Sequence, residues 1–343
     1  MDYTKAGVNI DAATDVVDYI KDKVKTTHSS SVLAGIGSFG TLYSLSDIVR
    51  DYENPVLVQS IDGVGTKIKV GVMAGKYKGL GMDIVNHCCN DILCQGARAL
   101  TFLDYYGVSK MDTAICKEVL DGMIEACYAS SVSLVGGELA ELPGVYETNE
   151  LDIVGAITGV VDRDKAVTGA NIQPGDVIIG LSSNGLHTNG YSLARKVLFD
   201  MAGLTINDKL SNGETLAEAL LKPHLNYAPE VLPLLDRYDI RGMAHITGGG
   251  LIDNVPRILQ KNVDAKFDCS AIDILEIFKL IQKKGGVEPR EMFRTLNMGC
   301  GYIIVVPPAE VETLLKDLES PKFSAKVVGE IVPGTGMSQL TNL

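Results

Sequence analysis

Two periods of apolar residues alternate along the chain. Short runs rich in apolar and β-branched residues at 56–60, 99–106, 133–137 and 151–161 predict strands. Ile84, Cys88 and Ile92 recur in steps of four, and so do Val85, Cys89 and Leu93. A helix is therefore predicted over 79–95, stopped by Gly96. A second is predicted over 112–130 with Asp112 as its N-cap, and residues 12–25 also read as helical. The segment DRDKAVTGANIQPGD (162–176) is polar, carries turn residues in its second half, and parts this block from the next. Beyond it the pattern predicts a strand at 176–181, the loop SSNGLHTNG and a helix from about 191. Further helices are expected at 226–237, 250–260, 271–284 and 309–318, with strands near 301–306 and 325–332. The class is α/β. A chain of 343 residues exceeds the ~250–300 that one core usually spans, so two domains are expected, 1–168 and 169–343.

Composition narrows the partners. A hydrophobic content of 46% with 22% charged residues is that of a globular protein. The net charge of −12 argues against nucleic acid, which needs a basic face, and against anionic membrane surfaces. No apolar run approaches ~20 residues and MDYTKAGVNIDA has no signal-peptide pattern, so a cytoplasmic protein is expected. The seven cysteines show no Cys-x-x-Cys pair, and a disulfide framework is not expected. His87, Cys88, Cys89 and Cys94 are zinc-ligand types, but the four-residue steps put both adjacent cysteines on a buried helical stripe. There they pack as small hydrophobes.

Glycine, at 36 residues, falls in clusters that suggest backbone brought close to ligands. Gly35, Gly37 and Gly40 form G-x-G-x-x-G, but the preceding THSSSV is a poor strand and no long helix follows. A dinucleotide fold is excluded on that context; a flap over nucleotide phosphates and a mobile loop stay equally open. SIDGVGTKIKV (60–70) resembles a phosphate loop with faults: Ser60 replaces the first glycine and the order is Gly65-Thr66-Lys67. Asp62, beside Gly63, would repel bare phosphate and is most often a turn residue there. A carboxylate with Lys67 at a glycine turn nevertheless suits a metal–triphosphate. More carboxylates are then needed. Asp83, His87 and Asp91 lie at spacing four with Asn90 beside them, in a stretch (79–97) free of Lys and Glu, unlike an ordinary solvated face. Glu138 follows Gly136-Gly137 where an apolar strand is expected to close.

In the second half Gly185-Leu186-His187-Thr188-Asn189-Gly190 leads into a helix and offers a polar-substrate site. Thr247-Gly248-Gly249-Gly250 also precedes a helix, and three glycines point to close approach of a phosphate. His245 reads as structural. Arg294, near Asn297, is a phosphate clamp or a domain-interface ion pair.

In this order YTKAGVNI, SIDGVGTK, GMDIVNHCCNDILCQGA, FLDYYG, SLVGGELAELPG, GLHTNGYSL, HITGGG with NVPR, and FRTLNMGCG resemble one family over nearly the whole chain. It is the phosphoribosylformylglycinamidine cyclo-ligases, or aminoimidazole ribonucleotide synthetases, of purine biosynthesis. DGVGTK and the Asn-Asp…Gly-Ala helix occur more widely in the ATP-dependent superfamily; FLDYY, GLHTNGYSL and FRTLNMG are more specific. Leu139 stands where the family commonly has threonine, and Asn9 where it usually has aspartate.

The resemblance implies a two-domain subunit that dimerises, with N-terminal strands of two chains closing a β-barrel. The N-terminal domain would bind ATP and metal, and the C-terminal α/β domain the substrate. It also implies ATP- and Mg²⁺-dependent closure of formylglycinamidine ribonucleotide to 5-aminoimidazole ribonucleotide, through phosphorylation of the formyl oxygen and release of ADP and phosphate. On this resemblance Asp62, Asp91, Glu138 and Asp83 serve the metal. Lys67, Asp62, Gly63, Asn90 and the glycines Gly35, Gly37 and Gly40 serve the nucleotide. His187, Asn189, Thr247, Gly248, Gly249 and Arg294 serve the substrate, with Lys67, Asp91 and His187 catalytic and His187 the general acid–base. The rivals are selenophosphate synthetase, thiamine-monophosphate kinase, a hydrogenase-maturation dehydratase, and a non-catalytic nucleotide sensor. The absence of cysteine before Cys88 and the C-terminal TNL set aside the reactive-cysteine members.

Overall fold

The computed structural model describes residues 9–343 except 38, so positions 3–8 of the YTKAGVNI stretch and Ser38 of the glycine loop lie outside the described residues. The chain divides into two compact units. One comprises the residues up to Ile92 with Ala97–Lys165, the other Leu93–Gly96 with Ala166–Leu343.

The first unit opens with α1 (Ile10–Ile20), a hairpin of β1 (Val32–Ala34) and β2 (Leu42–Tyr43), and α2 (Ser46–Asp51). There follow β3 (Pro55–Gly63), α3 (Lys67–Ala74), α4 (Lys78–Leu93), β4 (Arg98–Val108), α5 (Thr113–Ala129), β5 (Ser133–Glu141) and β6 (Leu151–Asp162). The long strands form one sheet in the order β3-β6-β4-β5, antiparallel except for β4 with β5. Asp112 caps α5 as expected, accepting from Ala114 and Ile115 N–H. Asn9 caps α1 through the Ala12 N–H, a task asparagine and aspartate perform about equally. That helix ends at Ile20, short of the expected 25, and a 3₁₀ turn takes over at Val24–Thr27.

Two further elements differ from the sequence pattern in ways that bear on the site. α3 was not foreseen, because Gly71 in its middle weakens the helical signal. The glycine is required by packing: a Cβ there would lie 2.9 Å from the Lys76 carbonyl oxygen. β5 runs on to Glu141 instead of closing at Gly137, because it stays paired with β4 as far as Val108. Glu138 is thus within a strand, not at its end.

α4 and α5 meet backbone to backbone. A Cβ on Gly81 would lie 1.9 Å from the Val119 carbonyl oxygen, and one on Gly122 1.9 Å from that of Lys78. α4 is buried beyond its apolar stripe: Asp83, Asn86, His87 and Asn90 are buried along with Ile84, Val85, Cys88 and Cys89. The cysteines are core residues. The sheet has two unlike faces. One cross-strand row, Asp62–Gly155–Asp104–Gly137, faces α4, whose Ile84 packs at Gly155. The next row, Ile61–Ala156–Leu103–Gly136, lies on the opposite face, where Leu57, Ile61 and Leu103 are exposed.

The second unit contains β7 (Val177–Ser182), α6 (Tyr191–Arg195), α7 (Leu216–Leu220), α8 (Ala228–Val231), β8 (Gly242–His245) and α9 (Gly250–Asn254). Then come β9 (Val263–Asp268), α10 (Glu276–Gly285), α11 (Pro289–Thr295), β10 (Cys300–Val306), α12 (Val311–Asp317), β11 (Ala325–Pro333) and β12 (Ser338–Thr341). The sheet order is β12-β9-β11-β7-β10-β8, antiparallel except for β12 with β9. Ile179, Tyr227, Met243, Tyr302, Ile304 and Leu314 belong to its core. The helices expected at 226–237 and 250–260 are shorter and pass into 3₁₀ turns that contain Pro233 and Pro256, which lack the N–H an α-helix would use. No helix among the described residues is long and apolar enough to cross a membrane.

Candidate active site

β3 delivers Asp62 to the end of its strand, and α4 carries His87 and Asp91 one turn apart. His87 Nε2 lies 2.9 Å from Asp62 Oδ2 and 3.7 Å from Asp91 Oδ2. Ser60 Oγ donates to Asp91 Oδ2 at 2.9 Å, so the residue that spoils the phosphate-loop pattern orients a carboxylate. Burial works against a charged His87, yet the hydrogen bond it donates to Asp62 and the charges of Asp91, Asp62 and Asp83 outweigh it and hold its pKa above the usual value. Asp62 is affected in the opposite sense. Desolvation alone would raise its pKa, but His87 and the Gly63 N–H together lower it. The two carboxylates remain 45% and 26% exposed at their side chains, so a cation has access to oxygens already held in place.

Asp83 faces elsewhere. Its carboxylate takes the Lys67 ammonium at 2.8 and 2.9 Å, and both side chains are sealed from solvent. Desolvation lowers the Lys67 pKa, with Asp83 opposing. The structure therefore brings Asp83 to Lys67 and not to Asp62 and Asp91, and Lys67 is held inside the unit. Asn90 is also buried, and Glu138 is exposed on β5, at the other edge of the sheet from Asp62.

Gly35, Gly37 and Gly40 lie between the two strands of the β1–β2 hairpin, not between a strand and a helix, which agrees with excluding a dinucleotide fold. Gly37 is demanded by its φ of +118°, whereas a Cβ on Gly40 would meet open space. The sequence reading passed over Asp104. It sits on the same cross-strand row as Asp62, and burial raises its pKa to about 7 despite a hydrogen bond with its own backbone. A charged residue at an inward position of FLDYYG was the available signal.

In the second unit His187, φ +60°, stacks on His224 with ring centroids 4.0 Å apart. Asn189 Oδ1 would stand 3.2 Å from a Cβ on Gly248, so the loops at 187–190 and 247–250 are neighbours. Asn254 holds the second loop, donating to the carbonyls of Thr247, Gly248 and Gly250 and accepting from Thr247 Oγ1. Packing alone accounts for Gly250, whose Cβ would lie 2.0 Å from the Phe293 carbonyl oxygen; phosphate approach is not needed to explain that glycine. Arg294 Nε pairs with Asp253 Oδ2 at 3.1 Å on the surface beside this loop. Asn297 is a latch, bonding Ser183 and Gly185.

Comparison with known proteins follows the same two-part organisation. Residues 46–161 match the AIR synthase related protein N-terminal domain, and residues 173–339 its C-terminal domain. The phosphoribosylformylglycinamidine cyclo-ligase of Carboxydothermus hydrogenoformans is 47% identical over 333 residues, covering 97% of this chain and 96% of its own. That of Alkaliphilus oremlandii is 44% identical over 333 residues, 97% of each chain. The chain belongs to the phosphoribosylformylglycinamidine cyclo-ligase family. The resemblance read from its motifs is borne out, as is the expectation of a ligase. Thiamine-monophosphate kinase from Stenotrophomonas maltophilia K279a superposes with a TM-score of 0.69 at 19% identity, over 95% of each chain. Hydrogenase maturation protein HypE in complex with ATP gives 0.67 at 19%, over 94% of this chain and 90% of its own. Those two cyclo-ligase rivals share the fold, while sequence identity places the chain with the cyclo-ligases.

Proposed function

We propose that this chain closes formylglycinamidine ribonucleotide to 5-aminoimidazole ribonucleotide in purine biosynthesis, with conversion of ATP to ADP and phosphate. The observation that carries this reading is the 44–47% identity to cyclo-ligases along almost the whole chain. A formyl amide oxygen is a poor leaving group. Once phosphorylated it leaves as phosphate, when the amidine nitrogen attacks the formyl carbon. The protein's task is then mostly positioning and charge neutralisation.

Asp62 and Asp91 suit Mg²⁺: both offer hard carboxylate oxygens, both are partly exposed, and both are oriented by His87 or Ser60. A magnesium ion there would neutralise nucleotide phosphate charge. Glu138 is a further candidate ligand. Asp83 suits a different task, holding the Lys67 ammonium at the base of the DGVGTK turn. Asn90, Gly63 and the glycines Gly35, Gly37 and Gly40 are proposed to serve the nucleotide. His187 is proposed to take the proton that the amidine nitrogen loses, with Asn189, Thr247, Gly248, Gly249 and Arg294 holding the ribonucleotide. In this reading residues 1–168 bind ATP and metal, and 169–343 bind substrate. The exposed apolar face at Leu57, Ile61 and Leu103 supports dimerisation through the first sheet, closing a barrel with a second copy.

The test is turnover with formyl-¹⁸O substrate. The label should appear in phosphate, one atom per ADP formed. Label in bulk water with unlabelled phosphate would overturn phosphorylation of the formyl oxygen, and no ADP release with this substrate would overturn the function.

A further inference from the structure

We propose that His224 is a positioning residue, which ties together the two loops assigned above to the substrate and holds the His187 ring between them. The proposal rests on that assignment for its consequence in catalysis, but its structural content stands by itself. His224 precedes α8 and is buried, as are His187 and His245. Thr188 Oγ1 lies 3.3 Å from His224 Nδ1, and His224 Nε2 lies 2.9 Å from His245 Nε2. A chain of polar contacts thus runs from Thr188 in the first loop, through one imidazole, to His245, two residues before Thr247 in the second.

The chemistry of a neutral imidazole makes this chain directional. One ring nitrogen donates and the other accepts, so a close Nε2···Nε2 pair requires one ring to donate and its partner to accept. If His224 donates at Nε2, its Nδ1 must accept from the Thr188 hydroxyl; if it accepts there, Nδ1 donates. Either way the tautomers of His224 and His245 are locked to each other. The face of His224 also supports His187, with 23° between ring planes. His187 needs such support, because a non-glycine residue at positive φ is held by its surroundings. Gly301 on β10 makes the room: a Cβ there would stand 2.7 Å from His187 Cε1 and 2.2 Å from the Tyr227 hydroxyl.

Three imidazoles with one ring nitrogen each inside 4.8 Å are also the right types for a transition metal. The ring arrangement favours the polar chain instead. A metal lies in the plane of every imidazole that binds it, and the planes of the stacked His187 and His224, 23° apart with centroids 4.0 Å apart, do not meet within bonding distance of both rings.

Imidazole ¹⁵N NMR of the full-length protein, with His224→Gln and His224→Phe as variants, tests this. In the wild type, His224 and His245 should show opposite protonation at Nε2, with one proton shared between them. His224→Phe keeps a ring for stacking but no bonds, so the His245 Nε2 resonance should lose the signature of the shared proton. His224→Gln, whose amide reaches the Nε2 position, should retain it. In steady-state assays His224→Phe should raise KM for formylglycinamidine ribonucleotide about tenfold, the scale of one buried hydrogen bond, and leave KM for ATP unchanged. His224→Gln should recover most of that loss. An unaltered His245 Nε2 resonance in folded His224→Phe would overturn the proposal, as would an unchanged substrate KM in an active variant. Stoichiometric metal lost on His224→Phe would replace the polar chain with a metal site. Were the wild type to turn over no formylglycinamidine ribonucleotide, the cyclo-ligase reading would fail, and the tautomer measurement would still decide the role of His224 in coupling the loops.

Discussion

His87 Nε2 stands 2.9 Å from Asp62 Oδ2, joining the middle of a buried helix to the end of a strand. The other Asp62 oxygen accepts the Gly63 N–H at 2.6 Å, so the carboxylate is fixed from both sides. Asp91, one turn further along α4, is held by Ser60 close to the same histidine. Two carboxylates with their orientations set in advance would have little left to reorganise if a cation bound there.

Asp91→Asn should therefore lower kcat by on the order of 10²–10³-fold while leaving the fold intact. The amide has the same shape and its oxygen still accepts from Ser60, so only the charge is lost. Assays of kcat with a thermal midpoint as control check this. A kcat within about threefold of wild type, under ~1 kcal/mol, removes Asp91 from the site.

The Lys67–Asp83 pair predicts strong non-additivity. Removing one partner strands a buried charge, so Lys67→Met should cost about 3–5 kcal/mol. The double variant Lys67→Met/Asp83→Leu should regain most of it, since no unpaired charge remains. Urea titration measures both. The folded double variant also isolates the role of Lys67: weaker ATP binding by tenfold or more supports a nucleotide contact, and unchanged binding removes it.

How much of this was legible beforehand depends on the range of the interaction. Spacing four put Asp83, His87 and Asp91 on one helix, and the strands at each side followed from apolar runs. That Asp83 turns to α3 while its neighbours serve β3 could not be read, because α3 itself left little periodic signal around Gly71. β5 looked finished at Gly136-Gly137, since the reason for those glycines is tertiary: a Cβ on Gly137 would lie 2.2 Å from Asp104 Oδ1. β9 was a different kind of miss. Its alternation of buried Val263, Ala265 and Phe267 was present in the sequence and went unused. The cluster of His187, His224 and His245 joins three separated segments, and no local pattern encodes it.

Cys88→Ala and Cys89→Ala should each lower stability by about 1 kcal/mol, through a small void, and leave the protein active. Burial pushes the Cys89 thiol up to about 12 and Cys88 well above its usual value, the reverse of a thiolate metal ligand. Both should resist a thiol reagent in the native protein and react once it is unfolded. Stoichiometric zinc, lost in either variant, would contradict the packing role.

Asp104 predicts a pH dependence with a definite sign. Its carboxyl ionises near pH 7 in the folded chain, because burial disfavours the charge, against an ordinary value of 3.8. Between those two values the native state binds more protons than the unfolded state. Stability from this group is therefore fully present below about pH 4, declines as pH rises, and is gone once the folded group has ionised. A gap of about three units sets an upper scale of about 4 kcal/mol. Asp104→Asn mimics the protonated form and adds no atom beside Gly137, so it removes the penalty. Urea unfolding of both proteins at pH 5 and pH 8 gives the test, because all other ionisable groups cancel in the difference. The variant's stability relative to wild type should grow by a few kcal/mol from the lower pH to the higher. A constant difference across that interval would mean that Asp104 is already ionised at pH 5 and that its burial carries no such cost.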